Sequence, residues 1–384
     1  MTAAVTRKVS KRLVSPTSTA PEIVIYPPDS DEEEANTYFA PNEFLVGLQN
    51  ITRSNLVSAL NAFLQVLVAL PELNEELPRS STDEKVASFT KMARSLRCDL
   101  DKGTIVEAGR LRLEWWEEKC RQTIRNTPSS LSPELDDATV LTQHFEHVVT
   151  PIMDEILSKT RFGKRFDGRL TEVANGPNGT DGRFLGATEQ KTTTISLSLG
   201  DVPPTGKISL IPLLNKRLGH STSTFFFGGS LPPSLRNRPQ QSPIPAPKLK
   251  FSKLPFYLTF TFKRTLSAGT PPSSPLFSPS LFSPTSQPPR PTQPSPAVEL
   301  PMEMDLSYSL SDLARSTRTG KDRDRTFYRL HGFVTHSGGH FLCYTRVWGG
   351  SEWFRCDDER IGDVELGVRV ESRGVVLAVY RLQD

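Results

Sequence analysis

The sequence lacks the features that define several protein classes. It has only four cysteines among 384 residues, and no two of them form a CxxC pair. Scattered thiols of this kind argue against a disulfide framework and favour a reducing compartment. No apolar run reaches the roughly 18 to 20 residues of a membrane span, and the first residues lack the apolar stretch of a signal peptide. We therefore expect an intracellular protein, in the cytoplasm, the nucleus or both.

A strong charge bias is also missing. The 46 Lys and Arg residues nearly balance the 43 Asp and Glu residues, which gives a formal net charge of +3. So small an excess provides no argument for binding to nucleic acid or to a membrane, and we expect neither partner. Hydrophobic residues make up 36% of the chain and charged residues 23%, with 32 prolines. This composition is typical of a globular protein interrupted by polar segments.

Some segments have too few apolar residues to build a core. Residues 1–43 mix basic, acidic, Ser, Thr and Pro residues and are predicted to be a disordered tail. Residues 231–248 and 268–301 hold about half of the prolines, interleaved with serine. Because proline lacks an amide donor, these two segments are not expected to pair in a sheet. We interpret them as insertions in surface loops, although such sequences also suit a proline-reading domain.

The remaining sequence divides into a helical part and a β-rich part. Apolar periodicity predicts mostly helices over residues 44–165, and alternation predicts mostly strands over residues 166–384. Helices are expected at 55–70 (ended by Pro71), 83–100 and 138–157, and strands at 191–199, 254–262, 328–334, 340–348 and 374–382. The predicted fold class is therefore α+β.

His340 is the residue most suggestive of chemistry. It follows Gly338 and Gly339 at the start of an alternating strand, and Asp357 and Asp358 follow within one hairpin. A carboxylate that accepts the Nδ1 proton of an imidazole fixes its tautomer and leaves Nε2 able to take a proton from a nucleophile. Cysteine and serine hydrolases use this arrangement. A lone histidine is more often a packed or surface residue, but this sequence context favours His340 and Asp357 as a catalytic pair.

The region around His340 resembles the C-terminal box of the ubiquitin-specific proteases. That box runs Tyr-x-Leu-x-x-Val-x-x-His-x-Gly, then Gly-His-Tyr, then Trp-x-x-Phe-Asp-Asp. The matching residues here are Tyr328, Leu330, Val334, His336, Gly338, then Gly339-His340-Phe341, then Trp353 and Asp357-Asp358, with Cys356 in place of Phe. Further likeness lies at Phe162 to Gly168, Leu254 to Arg264 and Gly374 to Tyr380.

The resemblance implies a papain-like cysteine-peptidase fold. A helical thumb would span residues 44–165, and antiparallel β fingers and palm would span residues 166–384. The family reaction is thiol-dependent hydrolysis of ubiquitin isopeptide bonds. Ubiquitin or a ubiquitinated protein is therefore the expected partner.

This chain departs from the pattern of the family's N-terminal box. The family sequence is Gly-Leu-x-Asn-x-Gly-Asn-Thr-Cys-Tyr-Met-Asn-Ser-x-Leu-Gln, and this chain matches its two ends at Gly47 to Asn50 and Asn61 to Gln65, with three extra residues between them. Aligned from the left, Asn55 occupies the cysteine position; aligned from the right, Ser58 does. We prefer the right-hand alignment, because the helix downstream of the nucleophile fixes its direction.

The loss of the thiol affects the chemistry directly. A cysteine of pKa about 8.5 becomes a thiolate beside a histidine, whereas a serine hydroxyl is far less acidic and needs an oxyanion hole. The family's oxyanion Asn matches Asn50 only in the left-hand alignment, so no single alignment supplies both groups. We expect a catalytically impaired protein that binds ubiquitin or another partner. The alternatives are an active deubiquitinase that uses Ser58, or a Pro-rich scaffold.

No cofactor or metal is expected. His336 and His340 have HxxxH spacing, but two residues on strands are not aligned as they would be on a helix. Many relatives carry two CxxC pairs at the fingertips, and this chain has none between Phe166 and Leu199. The resemblance thus implies a metal-free hairpin, shortened at the turn from Asn175 to Asp181. Cys343 and Cys356 are expected to be core or edge residues.

Overall fold

A computed structural model gives the fold of the chain. It describes residue 48 and residues 55–78, 81–98, 141–142, 145–173, 189–200, 202–203, 206–219, 248–264, 296–311, 314–315, 325–337, 340–346, 352–358, 360–367 and 369–383. The tail 1–43, Asn50, the turn from Asn175 to Asp181 and most of the two Pro/Ser-rich segments lie outside these ranges.

Five α-helices and three short 3₁₀ helices occur in the described ranges. They are α1 (Asn55–Val68), α2 (Leu73–Glu76), α3 (Glu84–Cys98), α4 (Glu146–Glu155) and α5 (Leu210–Arg217), with 3₁₀ helices at Leu157–Lys159, Phe162–Phe166 and Ser307–Ser309. α1 is buried on every side from Ser58 onward, as expected of a helix that is apolar around its circumference. None of the helices in these ranges is long and apolar enough to span a membrane.

The strands of the described chain form three sheets. They are β1 (Gly168–Val173), β2 (Glu189–Thr192), β3 (Ile195–Ser198), β4 (Lys207–Ser209), β5 (Lys248–Lys253), β6 (Tyr257–Lys263), β7 (Ala297–Pro301), β8 (Glu303–Asp305), β9 (Phe327–Ser337), β10 (His340–Arg346), β11 (Trp353–Asp357), β12 (Arg360–Val364), β13 (Arg369–Ser372) and β14 (Val375–Leu382). The central sheet has the order β12-β11-β10-β9-β14-β6-β3, with β8 also paired to β9. The smaller sheets have the orders β2-β1-β5 and β13-β7-β4.

The central sheet has a core on each face. On one face, α1 and its neighbouring helices pack against residues such as Phe341, Cys343 and Val379. On the other face, α5 and the strands of the β13-β7-β4 sheet cover residues such as Tyr344 and Phe260. A β-carbon at Gly332 would lie only 3.1 Å from Val66 Cγ1 of α1. The helix therefore sits directly on the strands that carry the C-terminal box.

Charged side chains join the helices to the last strand. Arg165 donates two hydrogen bonds, from Nε and Nη2, to the Glu76 carboxylate at 2.7 Å each. Glu72 accepts hydrogen bonds from Tyr257 and from Arg381, the latter at 3.0 Å. Burial raises the pKa of Glu72, but these hydrogen bonds outweigh it and leave the pKa below its ordinary value. This group holds α2 against β6 and β14.

Several elements differ from the sequence expectations. Residues 191–199 do not form one strand: β2 ends at Thr192 and pairs with β1, whereas β3 begins at Ile195 and pairs with β6 in the central sheet. The expectation that residues 231–248 and 268–301 stay out of sheets is wrong at the end of each segment: Lys248 begins β5, and β7 pairs with both β4 and β13. Ala297 to Leu300 carry no proline, and Pro301 occupies the last position of β7, where the missing amide is tolerated. Helix α5 and strands β1 and β5 were not predicted.

Candidate active site

The structure brings His340 close to both carboxylates of the C-terminal box. His340 begins β10, Asp357 ends β11, and Asp358 occupies the turn into β12. One side-chain ligand atom of each of these three residues lies within 4.8 Å of the other two. His340 is exposed, and the two aspartates are partly buried. The spacing of the sequence box thus corresponds to a real cluster at one end of the β10-β11 pair.

Asp357 forms an ion pair with a residue of its own strand. Its Oδ2 lies 3.6 Å from Nη2 of Arg355, two residues earlier on the same strand. Within the described chain, Asp357 forms neither a hydrogen bond nor an ion pair with His340, so the carboxylate and the imidazole are neighbours without direct contact. The imidazole and the carboxylate thus have the proximity of a base and its orienting acid, without a hydrogen bond between them.

Helix α1 fixes the conformation of Asp358. This residue has a φ of 48°, in the left-handed region that aspartate tolerates better than most residues. Asn61 donates from Nδ2 to Oδ1 of Asp358 at 2.9 Å, and Gln65 donates from Nε2 to its backbone oxygen at 3.1 Å. That same oxygen accepts the amide of Leu48 at 2.8 Å. Asn61 and Gln65 lie one turn apart on α1, so one helix face holds the turn that follows Asp357.

Ser58 lies beside the histidine strand, but its hydroxyl is directed to the backbone. Its Oγ accepts a hydrogen bond from the amide of Phe341 at 3.2 Å and lies 3.4 Å from the Phe341 carbonyl, to which it donates. Ser58 is only 1% exposed. Both hydrogen-bonding functions of the hydroxyl are thus used by the residue next to His340. If the Ser58 hydroxyl lost its proton, it could no longer donate to the Phe341 carbonyl, and its negative charge would be buried in the core.

The alternative position for the nucleophile lies one turn earlier. Asn55 is the first residue of α1 and is partly exposed, whereas Ser58 is inside the helix. Asn61 and Gln65, which match the end of the family box, both contact Asp358. Asn50, the expected oxyanion donor of the left-hand alignment, lies outside the described residues.

The two cysteines of the C-terminal box belong to the core. Cys343 and Cys356 are directly opposite each other on β10 and β11, and both are fully buried on the side that faces α1. Both are free thiols. Burial, followed by a hydrogen bond to Cys356, raises the pKa of the Cys343 thiol well above its usual range. A thiol of this kind is a poor nucleophile near neutral pH.

Sequence reasoning missed the positioning role of Asn61 and Gln65. Both had been noted only as matches to the end of the N-terminal box, and nothing in the local sequence pointed to Asp358, 297 and 293 residues away. The signal available in the sequence was the presence of two amide side chains in an otherwise apolar helix, since such side chains need partners when they are buried. His336, in contrast, packs against the Phe341 ring at 4.8 Å and does not join the His340 cluster.

Comparison with known proteins identifies the family. Residues 46–380 match the family described as ubiquitin carboxyl-terminal hydrolase. This match covers most of the chain, and the chain therefore belongs to that family. Its α+β fold is the papain-like peptidase fold of the ubiquitin-specific proteases, with α1 and its neighbouring helices packed on a mostly antiparallel central sheet.

Several solved structures are similar at low identity. The SAGA Ubp8/Sgf11/Sus1/Sgf73 DUB module is 16% identical with a TM-score of 0.49, and the alignment covers 90% of this chain and 69% of that one. The same module bound to ubiquitin aldehyde is 14% identical with a TM-score of 0.45, covering 90% and 70%. An essential yeast splicing factor is 12% identical with a TM-score of 0.48, covering 89% and 70%. No curated protein matches the sequence.

Proposed function

We propose that this protein binds ubiquitin or a ubiquitinated protein through a ubiquitin-specific-protease domain, residues 44–384, that does not hydrolyse the isopeptide bond. His340 and Asp357 are the retained base and orienting acid, and Ser58 occupies the position of the nucleophile. The membership of the chain in the ubiquitin carboxyl-terminal hydrolase family supports ubiquitin as the partner. The two free thiols in the core, Cys343 and Cys356, support a reducing, intracellular location.

The bonding of the Ser58 hydroxyl carries the proposal. An attacking hydroxyl must give its proton to the imidazole and point its lone pair at the scissile carbonyl. The Ser58 hydroxyl instead accepts from the Phe341 amide and donates to the Phe341 carbonyl, within the core. Activation would break both hydrogen bonds and bury a charge without a partner. The base and the acid therefore have no group to activate.

Hydrolysis is tested with a ubiquitin-rhodamine substrate and purified full-length protein. We expect no turnover above the rate without protein, and the same result for His340→Ala. Turnover that disappears in His340→Ala would overturn the proposal that the domain is inactive. In that case the Ser58→Ala variant decides the nucleophile, because unchanged hydrolysis would exclude Ser58.

Binding is tested separately, by calorimetric titration of ubiquitin into the full chain. We expect saturable binding to the wild-type protein and to a variant lacking residues 268–295. That deletion ends before β7, so the β13-β7-β4 sheet keeps all its residues. Absence of ubiquitin binding in the wild-type protein would contradict the proposed partner. Loss of binding only in the deletion variant would assign recognition to the Pro/Ser-rich segment and to a scaffold role.

A further inference from the structure

Cys343 and Cys356 form a pair that neither the fold nor the proposed function requires. They are directly opposite partners in the antiparallel ladder of β10 and β11, and their thiols hydrogen bond to each other. Residues opposite each other in such a ladder have Cα atoms roughly 4.5 to 5.5 Å apart. A disulfide spans Cα distances of about 4.4 to 6.8 Å, so the two backbones already have the separation that a bridge needs.

The pair also lies between the residues of the candidate site. Cys343 is three residues after His340 on β10, and Cys356 immediately precedes Asp357 on β11. A covalent link between these positions would join the strand that carries the imidazole to the strand that carries its acid. Its effect on the site would come from fixing the two strands, since both thiols face α1 in the core.

We propose that Cys343 and Cys356 form a reversible disulfide when the protein meets a hydroperoxide, and that this bridge locks the strand of His340 to the strand of Asp357. In the first step a thiol gives up its proton, the thiolate attacks a peroxide oxygen, the O–O bond breaks, and the sulfenic acid forms while the leaving hydroxide takes up that proton as water. In the second step the other thiol attacks the sulfenic sulfur, the S–S bond forms, and a second water leaves. Two thiols and one hydrogen peroxide thus give one disulfide and two waters.

Burial sets the speed of this reaction. Both residues are 0% exposed, so the oxidant reaches them only when the structure opens locally. Cys356 lies on β11, whose outer neighbour β12 is the edge strand of the central sheet, so only one strand separates it from that edge. The high pKa of the Cys343 thiol also slows the first step. Oxidation should therefore be slower than that of an exposed small-molecule dithiol, and complete only on longer exposure.

The test uses the full chain with Cys98→Ser and Cys120→Ser, so that only the pair remains. After treatment of the folded protein with hydrogen peroxide, we expect the intact mass to fall by two hydrogen atoms, with a cross-linked peptide that joins Cys343 to Cys356. A phosphine reductant should restore both thiols. The matched control carries Cys343→Ala in addition to these two substitutions, and it should form no intramolecular link. Two free thiols after an exposure many times longer than a small-molecule dithiol needs for full oxidation, or links only between molecules, would overturn the proposal.

Hydrogen exchange tests whether the bridge locks the two strands of the site, and it needs no substitution of Cys343 or Cys356. We expect amides of residues 340–346 and 353–357 to exchange more slowly in the oxidised protein than in the reduced protein. Equal exchange in the two forms would show that the bridge does not lock the strands. Neither the mass measurement nor the hydrogen exchange uses ubiquitin. The outcome of each is therefore independent of the proposed function.

Discussion

Asn61 on α1 donates a hydrogen bond to the Asp358 carboxylate across the boundary between the helices and the central sheet, with a distance of 2.9 Å. The same Nδ2 lies 3.2 Å from the carbonyl oxygen of Leu48, to which it also donates. One buried amide thus joins the segment before α1, the helix itself and the turn after Asp357. The contact holds the turn that directly follows Asp357.

Asn61→Ala should destabilise the protein by about 1 to 3 kcal/mol, because it removes the donor that Asn61 supplies to a partly buried carboxylate and to a backbone carbonyl. The free energy of unfolding is measured with urea. Gln190→Ala is the matched control, since Gln190 is an exposed amide on the edge strand β2 and its loss should change stability by less than about 0.5 kcal/mol. Equal effects of the two substitutions would show that the Asn61 contact stabilises nothing.

Ser58→Cys should not restore a reactive nucleophile. The side chain at this position is buried against the backbone of Phe341, so a thiol there would be desolvated and directed into the core. We expect no covalent adduct with ubiquitin vinyl sulfone, as judged by intact mass. Labelling of the denatured variant by a maleimide serves as the control that the thiol is present. An adduct mapped to position 58 in the folded protein would contradict the proposed orientation.

Glu72→Gln should lower stability in a pH-dependent way. The folded-state pKa of Glu72 is below its ordinary value of 4.5, so its contribution is present above pH 4.5 and is lost as the pH falls through the folded pKa. At pH 7 we expect a loss of about 1 to 3 kcal/mol, because Tyr257 and Arg381 lose a charged acceptor.

The free energies of unfolding of the wild type and of Glu72→Gln, measured by chemical denaturation, should become more similar below pH 4.5. Asp363→Asn, a substitution of an exposed carboxylate on β12, is the control and should give a small difference throughout. If the difference in the free energy of unfolding between wild type and Glu72→Gln stayed constant down to pH 3, the destabilisation would come from packing and not from charge.

His331 should make the fold sensitive to mild acid. It is 3% exposed on β9 and hydrogen bonds to the backbone of Ala69; burial, and then Arg381, lower its pKa from 6.5 to about 3. Between these values the unfolded chain binds a proton that the folded protein does not. The free energy of unfolding should therefore fall as the pH decreases from 6.5 to 3, by up to about 1.4 kcal/mol per pH unit.

The His331 contribution is measured by comparing wild type with His331→Gln, which keeps a hydrogen-bond donor. The variant should show a shallower loss of stability between pH 6.5 and 4.5, a window above that of Glu72. An NMR titration of the His331 ring is the direct check. A ring that takes up its proton near pH 6.5 in the folded state would refute the expectation.

Much of the site was accessible from sequence because its residues lie close together in the chain. His340 and Asp357 are joined by a single hairpin, so their spacing alone predicted that they meet. The strands of the C-terminal box alternate regularly, and the structure has strands at each expected position. β7 was missed because the prolines before it dominated the composition of the segment, although Ala297 to Leu300 alternate well enough to pair.

The sequence by itself determined that no cysteine stands at either candidate position of the nucleophile, and that a histidine and two aspartates follow in the order of the family. It provided only a preference for Ser58 over Asn55. Residues three apart on a helix lie on almost the same face, so both alignments present a side chain in the same direction. Only the tertiary structure fixes the position of α1 along its axis, because Asn61 and Gln65 must reach Asp358, and this contact places Ser58 against Phe341.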